Sequence, residues 1–536
     1  MEQPEISSAQ RRDFPRYSTD KPIPITLTTS KDKIQSKGET INISKHGLCV
    51  KLDTDIPVSE RVELGIYLHD NKNVLSKGRV IWKEPNLSLY GIDLSEYKED
   101  ISEYWTGYIS GVHSSEADRR EKRERRNNTE KKDIDKRNRG RRENYPALMK
   151  CNKYNRAKKL IADNNYFFYR EIKELSQNKI TLGDKEYLNF CSNDYLGLSY
   201  HPAVKEASIK AIEKYGVSAC GSRFLNGTLD LHNELEKKLA KFKGGEDCIV
   251  YSAGYITNLG VIEALANSKN DILIVDEKAH ASIFDGCRFS GSEIVVFRHN
   301  NINDLEKKLN KYKDRTSKFI LTDGIFSMDG DIAKLDEIYN LGQKYNTAII
   351  VDDAHATGIL GKKGTGTAEY FDLDHKIPIT VGTLSKAIGC VGGFVVANEK
   401  VIHYLKNVSR PSIFNVSLPP NIAAAAIKSL EILETEPEHL LKLWDNVNFF
   451  KNALINLGIN IGITETPIIP ITIGEESLTY EIVKKLTEKG FFLNPVIYPA
   501  VPKKRTRIRL TITASHSKED LTKLIDALTE IIGVIK

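Results

Sequence analysis

Cysteine is scarce in this sequence and never occurs as a CxxC pair. The 536 residues include seven cysteines, at positions 49, 151, 191, 220, 248, 287 and 390. An odd number of widely separated cysteines argues against a disulfide framework and fits a reducing compartment. We therefore predict a cytoplasmic protein, and we predict no metal site.

Long apolar runs are also missing. No uninterrupted stretch approaches the roughly 20 apolar residues that a membrane-spanning helix needs. The first twenty residues are polar and contain Arg11, Arg12 and two prolines, which is not the pattern of a secretory signal peptide. Any contact with a membrane is therefore expected to be peripheral, at its inner face.

Most of the chain carries little excess charge of either sign. The net charge is +6, and residues 116–143 alone contain 13 Lys or Arg and 8 Asp or Glu, which accounts for five of these charges. This segment lacks apolar periodicity, so we predict a charged linker over residues 113–145. It is interpreted either as a solvated tether or as a segment attracted to anionic lipid headgroups. Nucleic acid is not a predicted partner, because no aromatic residues are interleaved with the basic ones.

Two short polar motifs lie in the first 50 residues. Arg12 and Arg16 form an RxxxR pattern, and Asn42, Ser44 and Gly47 form an NxSxxG pattern further along the chain. Short strand-like runs separated by polar turns occur at residues 23–29, 48–52, 61–68, 77–82 and 89–94. Such a series predicts a small antiparallel β-barrel.

This combination resembles the PilZ domains, which bind cyclic di-GMP, and we assign residues 1–112 to such a domain. The two arginines can bind phosphates and the guanine edge, or stack on the base. The asparagine and serine of the second motif offer compact hydrogen-bonding groups, and its glycine allows close approach of the backbone. The alternative is a degenerate barrel that serves only as a docking module.

A lysine bracketed by glycines stands in the segment GTLSKAIG, residues 382–389. Lys386 lies between small residues at an apparent junction between a strand and a loop, which allows a planar ring to approach closely. A desolvated lysine amine is held neutral and readily forms a Schiff base.

Two further segments supply the other groups that a pyridoxal phosphate (PLP) site needs. Residues 348–351 are an apolar run that predicts a buried strand, and Asp352 ends it, at the sheet edge where ligands bind in open α/β folds. A carboxylate there can keep the pyridine nitrogen of PLP protonated. His355 can reach the phenolic oxygen, and His280, which follows the strand-like run 271–275, can stack on the ring. We predict that Lys386, His280, Asp352 and His355 are the catalytic residues.

From about residue 166 to its end, the sequence resembles the α-oxoamine synthases. This PLP-dependent family includes serine palmitoyltransferase, 8-amino-7-oxononanoate synthase and 2-amino-3-ketobutyrate CoA ligase. Besides the lysine and aspartate segments, the matching stretches are residues 188–198, 219–223, 251–255, 326–331 and 507–510. The resemblance implies a multidomain protein in which a type I PLP-dependent aminotransferase fold spans residues 146–536. A large α/β domain is expected over about 190–420 and a smaller C-terminal α+β domain over about 421–536.

The resemblance also implies further binding residues. The additional residues expected to bind PLP are Gly254, Tyr255, Ser327 and Thr383. The first two of these would begin a helix, whose N–H groups suit a phosphate. Asn193 and Arg509 are candidates for the substrate carboxylate, which a planar guanidinium can bind with two hydrogen bonds.

The implied reaction joins a small amino acid to an acyl thioester with loss of carbon dioxide and gives a 2-amino ketone. Lys386 is expected to act as the general base at the substrate Cα, and His280 is expected to hold the substrate carboxylate. A homodimer with the site at the subunit interface is expected. Serine, glycine and alanine stay open as substrates, and so do CoA and acyl carrier protein as carriers of the thioester.

Two positions depart from the family pattern. Ile497 stands where bacterial serine palmitoyltransferases and 8-amino-7-oxononanoate synthases place an arginine, just before a loop rich in proline. Asn415 stands where relatives often carry a threonine that reaches the phosphate of the partner subunit, and Ser417 is the candidate substitute. These departures concern the identity of the amino acid and leave the reaction class unchanged.

A second interpretation treats the chain as a cyclic di-GMP receptor whose PLP-type fold is a catalytically silent scaffold. The intact set of Lys386, Asp352, His355 and His280 favours an enzyme, because a scaffold would tolerate their loss. We therefore predict an enzyme that cyclic di-GMP regulates or localises. We expect its product to be a lipid or a specialised metabolite. This expectation rests on the association with a regulatory domain and not on the chemistry of the site.

Overall fold

The computed structural model describes residues 17–18, 24–29, 35–44, 47–54, 56–57, 61–67, 73–84, 89–93, 145–152, 155–163 and 165–533. The chain divides into two compact units, residues 1–155 and 156–536. Apart from Tyr145, the predicted charged linker lies outside the described residues.

The first unit contains an antiparallel sheet. Its strands are β1 Tyr17–Ser18, β2 Pro24–Thr29, β3 Gln35–Ser44, β4 Gly47–Leu52, β5 Arg61–Tyr67, β6 Asn73–Glu84 and β7 Leu89–Asp93. The strand order is β1-β3-β2-β5-β6-β7-β4, and β3 also pairs with β4. Alternate residues are buried, such as Ile25 and Leu27 on β2 and Val50 and Leu52 on β4, as expected for strands with one face on a core.

The five predicted strands of this region are all present. β6 starts earlier than predicted, and β3 and β1 were not predicted as strands. β3 carries the residues of the NxSxxG motif before its turn, and a register shift interrupts its pairing with β4 between Thr40 and Asn42.

Short elements precede the second core. A 3₁₀ turn spans Pro146–Leu148, and helices α1 and α2 span Met149–Asn152 and Arg156–Ala162. A small sheet follows, with β8 Glu174–Leu175, β9 Lys179–Leu182 and β10 Lys185–Asn189.

The second unit is built around a seven-stranded sheet in the order β11-β17-β16-β15-β14-β12-β13. Its strands are β11 Asp247–Tyr251, β12 Ile272–Asp276, β13 Glu293–Phe297, β14 Lys318–Asp323, β15 Ala348–Asp352, β16 Ile379–Thr383 and β17 Gly393–Ala397. β17 runs antiparallel to both of its neighbours, and the pairings among the strands from β12 to β16 are parallel. Most positions of these strands are buried, because helices cover both faces of such a sheet.

Helices connect and flank these strands. They are α3 Pro202–Tyr215, α4 Asp230–Lys243, α5 Gly254–Leu265, α6 Ala281–Ser290, α7 Ile302–Lys311, α8 Leu335–Lys344, α9 Thr367–Tyr370, α10 Glu399–Val408 and α11 Arg410–Ile413. A 3₁₀ turn over Leu198–Tyr200 leads into α3.

The C-terminal part combines helices with a three-stranded antiparallel sheet in the order β18-β21-β20. Its elements are α12 Pro420–Thr435, α13 Glu438–Asn456, β18 Ile468–Thr472, α14 Glu476–Glu488, β19 Phe491–Phe492, β20 Pro495–Val496, a 3₁₀ turn Lys503–Arg505, β21 Arg507–Thr511 and α15 Lys518–Gly533. β19 pairs in parallel with β10 and joins this part to the small sheet. Among the described residues, no helix is both long and apolar enough to span a bilayer.

The sheet topology brings several polar residues to one edge. The parallel strands β14 and β15 end side by side at Asp323 and Asp352, which are paired in register. β12 ends at Asp276 and β16 at Thr383 along the same edge. The loops that follow these strands carry His280, His355 and Lys386, and Asp352 is itself the last residue of β15.

Candidate active site

A cavity of about 330 Å³ lies at this edge of the sheet. Of the residues predicted from the sequence to form the site, those that line it are Gly254, Tyr255, His280, Asp352, His355, Thr383 and Lys386. The fold therefore brings the four predicted catalytic side chains to one cavity from separate segments of the chain.

Lys386 lies in the loop that follows β16. Its carbonyl accepts a hydrogen bond from the Gly389 N–H at 2.8 Å, which closes a tight turn that begins at the lysine. Burial lowers the pKa of Lys386, and the nearby carboxylates of Asp352 and Asp323 offset only part of this effect. The amine is therefore shifted toward the neutral form that a nucleophile or a general base requires.

Asp352 is the last residue of β15 and is buried. Its Oδ2 accepts a hydrogen bond from Asn258 Nδ2 at 2.6 Å, and its Oδ1 accepts one from the Ala354 N–H at 3.0 Å. Both carboxylate oxygens are thus held by donors, which fixes the direction of this side chain at the cavity wall.

Asp323 also lines the cavity and was not predicted. Burial raises the pKa of Asp323 well above its usual range, and the charge of Asp352 on the neighbouring strand adds to this shift. Its Oδ1 accepts a hydrogen bond from the His280 N–H at 3.2 Å. The run KFILTD, which forms β14, offered the same signal as the run before Asp352: an apolar strand that ends in an aspartate.

His280 is positioned by a chain of hydrogen bonds. Asn258 Nδ2 donates to Ser282 Oγ at 2.9 Å, and Ser282 Oγ lies 2.7 Å from His280 Nδ1. Because the serine oxygen accepts from the amide, its own proton is free to be donated to Nδ1. The Ser282 N–H also donates to Nδ1, at 3.3 Å.

This arrangement defines the protonation of the imidazole. Burial lowers the pKa of His280, and the charge of Lys386 lowers it further, against the opposing charge of Asp352. The neutral ring with an acceptor at Nδ1 carries its single proton on Nε2. His280 therefore has an N–H available as a donor on the side of the ring away from Ser282.

His355 is buried and pairs with a tyrosine. Its Nδ1 lies 2.7 Å from the Tyr195 hydroxyl. Burial lowers the pKa of His355 well below its usual range, and the positive charges of Lys386 and Arg509 act in the same direction. Burial also raises the pKa of Tyr195 to about 12, so the phenol keeps its proton. The imidazole of His355 and the phenol of Tyr195 are therefore both uncharged.

The N-terminus of α5 forms another part of the cavity wall, through Gly254 and Tyr255. Ala253 precedes this helix, and no side chain in the described part of the chain caps its first N–H groups. Uncapped N–H groups and the helix dipole together favour an anion at this position. The Thr383 hydroxyl, which donates to the Gly392 carbonyl at 2.8 Å, packs beside Gly254.

Three of the predicted residues contact one another rather than the cavity. Arg509 Nη2 donates to Asn193 Oδ1 at 3.3 Å, and Arg509 Nε donates to the Ser327 carbonyl at 2.6 Å. None of the three is among the residues that line the cavity. The guanidinium is thus held between the C-terminal sheet and the turn after β14, and Ser327 contributes its backbone to this contact.

The positions that depart from the family pattern have defined surroundings. Asn415 Nδ2 donates to Ser252 Oγ at 2.7 Å, two residues before the start of α5. Ser417 Oγ is buried and has no hydrogen-bond partner among the described residues. Ile497 is buried in the apolar core of the C-terminal part.

Only part of the predicted nucleotide site falls within the described residues. Arg12 and Arg16 lie outside them. Asn42 and Ser44 are in β3, and Gly47 begins β4, where it pairs with Ser44. Asn42 also pairs with Ser18 of β1, so the backbone two residues after the RxxxR motif in sequence lies beside the second motif.

Comparison with known protein families gives two matches along the chain. Residues 185–528 match the model described as aminotransferase class I and II, and residues 10–104 match that of the PilZ domain. The first match covers more than half of the chain and includes all four predicted catalytic residues.

Curated relatives match the same region. An 8-amino-7-oxononanoate synthase of Thermoanaerobacter pseudethanolicus is 47% identical over 348 residues, which are 65% of this chain and 88% of that protein. A serine palmitoyltransferase of Sphingobacterium spiritivorum is 40% identical over 378 residues, which are 70% of this chain and 94% of that protein.

The fold has solved counterparts. A serine palmitoyltransferase from S. paucimobilis with a bound PLP–myriocin aldimine matches with a TM-score of 0.69 and 33% identity, over 71% of this chain and 96% of that one. The second unit therefore has the type I fold of PLP-dependent aminotransferases. The chain belongs to the class I and II aminotransferases, within them to the α-oxoamine synthases, and it carries a PilZ domain at its N-terminus.

Proposed function

We propose that this protein catalyses the decarboxylative condensation of a small amino acid with an acyl thioester, using PLP, to give a 2-amino ketone. In this reaction the amino-acid Cα bonds to the acyl carbon, the thiol leaves and the carboxylate departs as carbon dioxide. The observation that carries the proposal is the buried Lys386, whose pKa is lowered by that burial, in one cavity with Asp352, His355 and His280.

The groups that line the cavity fit PLP. The uncapped N-terminus of α5 suits its phosphate, and the doubly held carboxylate of Asp352 suits a protonated pyridine nitrogen. Asn258 Oδ1, which is buried without a hydrogen-bond partner among the described residues, leaves an acceptor at the same wall. When bound, PLP withdraws electrons from the bonds at the substrate Cα and so weakens them.

Lys386 provides the proton transfers at the substrate. Its burial favours the neutral amine, so Nζ can hold PLP in the resting enzyme and can take a proton from Cα once substrate has displaced it. After carbon dioxide has left, the same Nζ can return a proton to Cα. The first transfer needs the uncharged amine, toward which burial shifts Lys386, and the second needs the protonated amine that the first transfer leaves.

His280 and Arg509 orient the substrate in this proposal. His280 offers Nε2–H as a donor, because its Nδ1 accepts from Ser282. A substrate carboxylate bound by this N–H is held in a fixed direction relative to the cavity wall, and the guanidinium of Arg509 can add a charged contact. The buried Ile497 offers no charge for this purpose. The proposal therefore assigns the carboxylate to His280 at the cavity, with Arg509 and its partner Asn193, which do not line the cavity, as further candidates.

The first test measures thiol release from a long-chain acyl-CoA by the purified full-length protein. Glycine, alanine and serine are supplied one at a time, and Lys386→Ala is compared with Lys400→Ala, which changes an exposed lysine outside the cavity. We expect turnover with one of the amino acids in wild type and in Lys400→Ala, and none in Lys386→Ala. Thiol release that persists in Lys386→Ala would contradict the mechanism.

We also propose that the N-terminal unit closes into a barrel and binds cyclic di-GMP through Arg12, Arg16, Asn42, Ser44 and Gly47. The pairing of β3 with β4 supports closure, because it joins the two ends of the strand order β3-β2-β5-β6-β7-β4. The pairing of Asn42 with Ser18 supports a joint site, because Ser18 follows Arg16 by only two residues in the sequence.

The proposed role of the nucleotide is to regulate or localise the enzyme. Adding cyclic di-GMP to the thiol-release assay distinguishes these roles, since regulation changes the rate and localisation leaves it unchanged. The competing proposal, a receptor with a silent PLP-type scaffold, requires that no amino acid gives turnover with CoA or acyl-carrier-protein thioesters while the nucleotide still binds.

A further inference from the structure

Three side chains outside the cavity direct metal-ligating atoms toward one another. His201 immediately precedes α3, Glu436 immediately follows α12, and His439 lies in the first turn of α13. Their ligand atoms all lie within 4.8 Å of one another. α3 and α12 pack together along their lengths, so the cluster sits where an established helix pair meets the start of a third helix.

The separations in this cluster suit a shared ion better than direct bonds. Glu436 Oε2 lies 3.7 Å from His201 Nε2 and 3.4 Å from His439 Nε2. Both distances exceed the usual range of an N–H···O hydrogen bond. They are close to the roughly 3.4 Å that separates ligand atoms around a tetrahedral ion with bonds of about 2.0–2.1 Å. The two imidazole rings are inclined at 70°, so they do not stack on each other.

The donor set selects a class of metal. Two imidazole nitrogens and one carboxylate oxygen are typical ligands of Zn²⁺, whereas Mg²⁺ and Ca²⁺ prefer oxygen ligands. The side chains of His201, Glu436 and His439 are 22%, 37% and 26% exposed, so water can complete the coordination. We propose that these three residues form a binding site for a divalent transition metal of the zinc type.

One existing contact opposes binding. The Ala203 N–H donates to His201 Nδ1 at 3.3 Å, which caps the start of α3. Coordination through Nε2 requires the proton of the ring to be on Nδ1, so this long hydrogen bond is lost when metal binds. The site is therefore one of modest affinity.

A metal ion bound at this site would link three helices of the catalytic unit. An ion at this position ties the residue before α3 to the junction of α12 and α13. None of the three ligands lines the catalytic cavity. The metal is thus expected to stabilise the catalytic unit and to take no direct part in the reaction.

The test uses the full-length protein after chelator treatment and dialysis. Zinc chloride is titrated by calorimetry, and thermal unfolding is followed with zinc chloride or magnesium chloride. His201→Asn removes the ligating Nε2 but keeps a side-chain oxygen that can cap α3. His439→Gln removes the second imidazole, and His403→Asn, at an exposed histidine of α10, is the matched control.

We expect wild type and His403→Asn to bind zinc with the same affinity and to melt at a higher temperature when zinc is present, with no effect of magnesium. His201→Asn and His439→Gln should bind zinc at least about tenfold more weakly. Unchanged zinc affinity in His439→Gln would place the ion elsewhere and overturn the proposal, as would the absence of zinc binding to wild type. If the metal-free His201→Asn variant already melts lower than wild type, His439→Gln alone decides.

Discussion

Two neighbouring aspartates show how surroundings give one residue type two roles. Asp323 and Asp352 end adjacent parallel strands and both line the cavity. Burial and the charge of Asp352 raise the pKa of Asp323 well above its usual range, which shifts Asp323 toward its neutral form. Asp352 is held by two N–H donors that suit an ionised carboxylate.

Replacing each aspartate by asparagine separates these roles. Asp323→Asn keeps the shape and an oxygen to accept the His280 N–H, so kcat should stay within about tenfold of wild type. Asp352→Asn removes the charge that we propose keeps the pyridine nitrogen of PLP protonated, so kcat should fall by at least about 100-fold. Steady-state thiol release measures both. Equal losses in the two variants would contradict the assignment of a neutral Asp323.

His299 is a second residue whose charge depends on its neighbours. Its Nδ1 lies 3.0 Å from Asp276 Oδ1 and its Nε2 lies 2.8 Å from Asp331 Oδ2. Burial alone would lower the pKa of His299, but the hydrogen bonds and charges of the two aspartates raise it to about 9. In the unfolded chain the pKa of a histidine is about 6.5.

The sign of the pH dependence follows from this difference. Because the folded-state pKa is the higher one, the contribution of His299 to stability is complete below about pH 6.5 and is lost as the pH rises through about 9. The free energy of unfolding of the wild-type protein should therefore exceed that of His299→Gln most at low pH. This difference between the two proteins should shrink by on the order of 2–3 kcal/mol toward pH 10. Urea unfolding at pH 6, 8 and 10 measures it, with His403→Gln as the control. A gap that does not change with pH would refute this assignment.

At the scale of elements, the position of α5 depends on a close contact with β17. A Cβ on Gly393, the first residue of β17, would lie 2.7 Å from Gly254 Cα and 2.8 Å from Gly254 N. Both atoms are backbone, so they cannot turn aside as the end of a flexible side chain can. The glycine therefore allows the N-terminus of α5 to reach the cavity wall.

Gly393→Ala should displace this helix start and weaken the binding of PLP. Because the N–H groups of α5 are the proposed phosphate ligands, we expect the Kd for PLP to rise at least about tenfold while the fold is kept. Absorbance titration of the cofactor-free protein measures the Kd, and circular dichroism checks the fold. Gly291→Ala, at a helix end with a φ of +72° and no atom within 4 Å of the added methyl, shows the effect of backbone strain without a steric clash. Equal PLP affinity in wild type and Gly393→Ala would contradict this role of the contact.

The sequence predicted those elements whose pattern of apolar residues reflects their burial in the fold. The run AIIVD became the buried strand β15 with Asp352 at its end, because both faces of a parallel sheet select apolar residues. Asp323 was missed although KFILTD has the same form. Its role depends on the register of β14 with β15, which brings it beside Asp352, and a single strand does not reveal its neighbour.

Other elements have no such local signal. β3, with the sequence QSKGETINIS, contains few apolar residues, and its strand conformation depends on pairing with β2 and β4. The His201, Glu436 and His439 cluster joins residues that are far apart in the sequence. Ser327 was predicted to contact PLP, a role that stays a prediction, and its backbone carbonyl is what Arg509 binds.

At the scale of the whole molecule, the chain has two units, each with its own core. The ligand site proposed for each unit can therefore be tested with its own variants. The proposed nucleotide ligands belong to residues 1–155 and the proposed PLP ligands to residues 156–536. Each unit buries its own apolar residues, so a surface substitution in one should leave the fold of the other intact.

We expect Arg12→Ala and Arg16→Ala to weaken cyclic di-GMP binding at least about tenfold, because each removes a guanidinium that can bind phosphate or guanine with two hydrogen bonds. PLP content and thiol release without nucleotide should match wild type. The adjacent Arg11→Ala is the control for loss of a positive charge outside the RxxxR pattern. Calorimetry gives the nucleotide affinity and visible absorbance gives the bound PLP. Lys386→Ala should show the reverse, with normal nucleotide affinity and no turnover. If Arg11→Ala weakens binding as much as the other two, net charge rather than the motif attracts the nucleotide.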